Sequence, residues 1–161
     1  MVGLFVILAA TVSEPVPLPR LVVLPGPEGA CGVPAVEDVA GARRLLVGGP
    51  PGFCVHAAFA ARLEDAATVH VVMRVSGTEA NAAERIFIYR LDGDRLVPRY
   101  LASGPDHLRL VAVEPVTRDG PDALRIRATD AGGAATTLLC GFVGFPLLCT
   151  AAPTRTDAPA L

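Results

Sequence analysis

Three histidines, His56, His70 and His107, are the first residues to weigh for chemistry. Imidazole is the commonest metal ligand and titrates near neutral pH. The run ASGPDH sets Ser103, Asp106 and His107 side by side, the residue types of a nucleophile, an orienting acid and a base. The same stretch is built from turn-forming residues, and no G-x-S-x-G elbow occurs in the chain. We therefore expect a turn at ASGPDH rather than a hydrolytic triad. A metal site is not expected either. If the strands around Cys54 and Val71 form a hairpin about Leu63 to Ala67, His56 and His70 share a face but stand roughly 13 Å apart at strand rise.

Carboxylates come in close pairs at Glu37 and Asp38, Glu64 and Asp65, Asp92 and Asp94, and Asp119 and Asp122. Two carboxylates flanking a substrate at a controlled separation perform acid–base chemistry. All of these pairs fall in expected loops or turns, where the expected role is solvation of the turn. The chain has no lysine, so its 14 basic residues are all arginine. Arg109, Arg125 and Arg127 are candidates for an anion-binding patch on one face of adjacent strands, because the guanidinium fork suits carboxylate and phosphate. Outward arginines also keep an exposed sheet face wet. No catalytic set, cofactor or metal ligand set emerges.

The four cysteines, Cys31, Cys54, Cys140 and Cys149, show no C-x-x-C spacing and are even in number, which favours a disulfide framework over a metal or redox pair. Cys31 with Cys54 and Cys140 with Cys149 are the preferred pairs, since short loops close at lower entropic cost. In CGFVGFPLLC, a turn centred on Gly144 and Phe145 sets Cys140 opposite Cys149 at a non-hydrogen-bonded site, where strands approach most closely. Pro146 has no N–H to give beside that turn, so a longer loop is the alternative.

These residues must be held by β structure. TVHVVMRV alternates, with Val69, Val71, Met73 and Val75 on an expected core face and His70 and Arg74 on an expected wet face. RIFIYRL has apolar groups on both faces, which marks a central strand. Asp92 and Gly93 supply a hairpin turn into DRLVPRYL, where Leu96 and Tyr100 are expected to continue the face of Phe87 and Tyr89. A two-residue loop at that point sets Arg90 against Arg95, a repulsive pair, so the register stays open by one residue. ALRIRAT turns Leu124 and Ile126 inward and Arg125 and Arg127 outward. VEDVAGARRLLV, residues 36–47, admits one short helix, although Gly41 weakens it. The fold class is all-β: an antiparallel meander closing into a single sandwich or an up-and-down barrel.

Residues 1–13, an apolar run ending in small residues, are expected to be a signal peptide, although no Lys or Arg precedes the run. Residues 14–20 read as a proline-rich linker, 21–150 as a single β domain and 151–161 as a disordered tail. The apolar run is too short to span a bilayer, which takes roughly 20 residues. A formal charge of −2 provides no footprint for a polyanion, so nucleic acid is not an expected partner. The resulting expectation is a secreted or periplasmic, non-catalytic domain that binds or supports an unknown protein or envelope partner. The competing expectations are a small secreted hydrolase, and a barrel-type carrier with an apolar cavity lined by residues such as Met73, Phe87 and Leu110.

Overall fold

The computed structural model describes residues 14–26, 31–79, 81–102 and 109–152. The expected signal peptide, the Ser103, Asp106 and His107 cluster, and the chain beyond Ala152 lie outside the described residues. Within them the protein is all-β, as three antiparallel meanders follow one another along the chain. Sheet A holds β1 (Arg20–Leu24), β2 (Val33–Glu37) and β3 (Arg43–Leu45). Sheet B holds β4 (Phe53–Ala61), β5 (His70–Gly77), β6 (Arg85–Asp92) and β7 (Arg95–Leu101). Sheet C holds β8 (Arg109–Val116), β9 (Ala123–Thr129), β10 (Ala135–Phe142) and β11 (Leu147–Ala151).

The sheets do not close into a barrel. Sheet B is the middle layer, and each of its faces carries a separate core. On one face Val55, Val71, Met73, Val75, Phe87, Tyr89 and Leu96 pack with Leu46 and with Leu21, Val23 and Val36 of sheet A. On the other, Ala61, Val72, Ile86 and Ile88 pack with Leu124, Ile126 and Cys140 of sheet C. This corrects the expected wet side of β5: Val72 and His70 are fully buried, because that face meets sheet C. The two-sided reading of β6 holds.

Bulges place the side chains that alternation alone would misplace. In β4 the register slips between Val55 and Ala57, leaving His56 as the extra residue, so that Val55 and Ala58 serve the same core. In β7 it slips between the partners of Ile88 and Tyr89, with Arg99 as the extra residue. Leu96 therefore faces sheet A while Tyr100 turns to the sheet C core, correcting the expectation that both share one face.

The helix admitted at 36–47 is absent. Asp38 Oδ1 accepts the Ala40 and Ala42 N–H groups at 2.8 and 2.9 Å, and Gly41 takes φ +82°, so the segment is a tight hairpin between β2 and β3. The chain then crosses to β7, where Val47 donates to the Asp94 carbonyl and accepts from the Leu96 N–H, both at 2.8 Å. A side chain at Gly48 would lie 2.9 Å from the Leu96 carbonyl oxygen, which explains glycine at this crossing.

The open register at Asp92 resolves as Asp92 opposite Arg95, with Gly93 and Asp94 as the loop. Gly93 has φ +60° and Asp94 does not share a positive φ, which is the pattern of a type II′ turn. Arg90 then faces Val97, and the repulsive pair is avoided. The CGFVGFPLLC hairpin keeps the expected register: Cys140 faces Cys149 with Cα atoms 4.0 Å apart, and Val143 donates to the Pro146 carbonyl at 3.1 Å. Ala151 ends β11 and Ala152, the last described residue, donates to the Thr137 carbonyl at 2.8 Å, so pairing with β10 extends over the first two residues of the expected tail.

Candidate functional site

Among the described residues, a polar constellation joins sheets B and C through Glu64, His70, Arg99 and the β10–β11 turn. His70 begins β5 and has no solvent exposure. Its Nδ1 accepts the Leu63 N–H at 3.3 Å, which puts the ring proton on Nε2, and Nε2 donates to Glu64 Oε2 at 2.8 Å. The other carboxylate oxygen, Glu64 Oε1, accepts from Arg99 Nε at 2.9 Å and also from Nη2. The remaining guanidinium donors reach the turn, Nη1 to the Phe145 carbonyl at 2.7 Å and Nη2 to the Gly144 carbonyl at 3.0 Å. The guanidinium carbon also stands 4.1 Å from the Phe142 ring centre and 4.6 Å from that of Phe145.

The electrostatics follow from these contacts. The Arg99 guanidinium, with help from His70, holds the Glu64 carboxyl below its ordinary range despite partial burial. Burial holds the His70 imidazole below its usual pKa, outweighing the attraction of Glu64. A buried, neutral histidine beside a carboxylate is the geometry of a general base held by its orienting acid. Here the second nitrogen is occupied by a backbone N–H, so no ring lone pair faces solvent. The arrangement positions and locks; it does not present a base.

The other histidine among the described residues, His56, sits on its bulge and meets the Ser76 hydroxyl at 2.7 Å. It lies apart from His70, as strand geometry requires, and among the described residues no cluster of His, Cys, Asp and Glu could hold a metal ion. The paired carboxylates divide: Asp38, Asp65, Asp92 and Asp119 are exposed, as expected of turns, whereas others make structural bonds. Glu37 pairs with Arg20 and Arg43, each at 2.9 Å, and Asp94 pairs with Arg44, while the exposed Asp65 accepts the Ala67 and Thr68 N–H groups. Asp122 is 5% exposed and accepts the Arg62 N–H at 2.8 Å, tying the end of β4 to the start of β9, where the sequence placed a solvated turn.

Register brings Arg109, Arg125 and Arg127 to one face of sheet C, the face turned away from sheet B. Arg109 lies opposite Thr129, and Thr129, Arg127 and Arg125 alternate along β9 on that side. Arg125 is engaged with Glu114 at 3.1 Å. Arg109 instead borders a cavity of about 700 Å3 with Asn81, Glu84, Thr129, Asp130 and Gly133. Both acids of its lining are already committed, Glu84 to Arg74 and Asp130 Oδ1 to the Gly132 and Ala134 N–H groups. The apolar cavity expected of a carrier is not formed by the residues named for it: Met73 and Phe87 pack toward sheet A, while Leu110 packs toward the opposite core.

The Glu64–His70–Arg99 constellation was not visible in the sequence. The three residues are separated by up to 35 positions and converge through two hairpins and a bulge, and only the proximity of Glu64 to His70 in the chain hinted at part of it.

No family model matches the chain, and no curated protein and no solved structure matches it significantly. Among the described residues no helix is long and apolar enough to cross a membrane.

Proposed function

We propose that this chain is an exported, non-catalytic β domain with a binding or structural role at the cell envelope, secreted or periplasmic. The observation that carries the reading is the pairing of all four cysteines, Cys31 with Cys54 and Cys140 with Cys149. Disulfides persist in oxidising compartments and are rare where thiol reductants prevail. Their positions support a mechanical role. Cys31 precedes the Gly32 bridge to Val55, so the first pair staples sheet A to sheet B, and the second closes the outermost hairpin of sheet C. The non-catalytic half of the proposal is supported by the buried imidazole, whose two nitrogens are both engaged.

The test is the intact mass of the full chain expressed in a secreting host, before and after reduction and alkylation. Loss of residues 1–13, with four alkyl groups gained only after reduction, supports the proposal. An uncut chain whose thiols alkylate on denaturation without reductant would overturn it.

A further inference from the structure

β11 is the outermost strand of sheet C, and its composition sets it apart from the other strands that border the sheets. Exposed edges are normally blunted by charge, proline, bulges or cover, because a row of unpaired N–H and C=O groups accepts another strand. The edge strand β3 is short and carries Arg43 and Arg44. β7 has Pro98, the Arg99 bulge and the Val47 segment against it. β8 has Arg109, Glu114, Pro115 and a bulge between Leu110 and Ala112. β4 has its bulge at His56 and the Gly32 bridge, and β1 packs against β4. β11, LLCTA, has no charge, no proline and no register shift, and four of its five residues are exposed.

The register shows which backbone groups of β11 have no partner among the described residues. Cys140 and Cys149 form a non-hydrogen-bonded pair, and the Ala152 N–H, three residues on, points to β10. Leu148 and Thr150 therefore direct their backbone groups to β10, while those of Leu147, Cys149 and Ala151 point away from the sheet.

We propose that two copies of this chain join through β11, antiparallel and two-fold symmetric about Cys149, so that sheet C continues from one copy into the other. A two-fold interface must be self-complementary. About Cys149, Leu147 meets Ala151 of the second copy, Leu148 meets Thr150, and Cys149 meets its own equivalent, so no like charges are opposed. The three residues with outward backbone groups are the ones such a pairing would bond. Arg125 and Arg127 lie on β9, two strands in from the edge, and the Arg118 guanidinium reaches β10 at Gly141, opposite Leu148, so no cation stands on β11 itself. The Cys140–Cys149 disulfide holds β11 in register with β10, so little ordering is left for the second copy to impose.

The test is the solution mass of the full, oxidised chain by sedimentation equilibrium over a concentration series, with three variants. The unmodified chain is expected to reach twice the monomer mass. Ala151→Pro removes an N–H that points away from β10 and leaves the native ladder intact, so it is expected to give a folded monomer. Leu148→Lys with Thr150→Lys places cations opposite each other across the join and is also expected to give a monomer. Leu148→Glu with Thr150→Lys restores opposite charges at the same sites and is expected to recover the dimer. A monomeric unmodified chain overturns the proposal and leaves the edge to a strand of another protein. A dimer that survives Ala151→Pro overturns it too, as does a failure of the charge exchange to restore what the two lysines abolish.

Discussion

Arg99 and Phe145 hold each other twice: the guanidinium lies 4.6 Å from the ring centre, and its Nη1 donates to the Phe145 carbonyl at 2.7 Å. Phe145 remains 81% exposed, so burial is not what holds the ring. The contact joins an edge strand of the middle sheet to the tip of the outermost hairpin, and the Glu64 and His70 contacts extend it into the buried layer between the sheets.

Arg99→Lys is expected to lower stability by about 1–3 kcal/mol in urea unfolding, because an ammonium cannot reproduce the fork that serves a carboxylate and two carbonyls at once. Arg125→Lys, at an exposed pair of the same charge type, is expected to change stability by no more than about 1 kcal/mol. Equal effects at the two sites would contradict the assigned role of Arg99.

Acid should destabilise the protein in two ranges. His70 has a pKa lowered from its usual 6.5, so the unfolded chain takes up its proton first, and the stability it contributes is complete above pH 6.5 and falls as pH drops below that value. Glu64, lowered from 4.5, adds a second loss as pH falls below that value through its folded pKa. Melting temperature recorded against pH is expected to decline in both ranges, and Glu64→Gln is expected to shrink the lower one, leaving the part due to Asp65, whose carboxyl the Thr68 hydroxyl also holds below its ordinary range. A flat profile from pH 7 to 5 would contradict the buried, neutral state of His70.

The two disulfides should differ in worth. The Cys31–Cys54 link spans 23 positions and the Cys140–Cys149 link 9, for which chain entropy gives about 3.4 and about 2.6 kcal/mol. Paired Cys→Ser substitutions compared by urea unfolding are expected to rank in that order, and the reverse order would show that local strain, not loop length, sets their contribution.

Met73 and Ile88 test the layering. Both are fully buried, on opposite faces of sheet B. Met73→Ala and Ile88→Ala are each expected to cost about 2–5 kcal/mol. A single two-layer sandwich would make one of the pair a surface change worth no more than about 0.5 kcal/mol.

Much of this fold follows from local rules that the residues state openly. Alternation in ALRIRAT turns Leu124 and Ile126 inward and the arginines out, Gly93 permits its turn, and the CGFVGFPLLC hairpin brings Cys140 to Cys149 because strand pairing is a matter of counting. Counting fails where a single extra residue resets the phase. His56 and Arg99 are such residues, and neither carries a composition signal that marks a bulge, so Tyr100 changes faces and Arg99 is aimed at a distant turn. The second core failed to show for a related reason. Alternation tells which residues share a face, but His70 and Val72 lie buried because another sheet covers theirs, and only the folding of separate meanders against one another decides that.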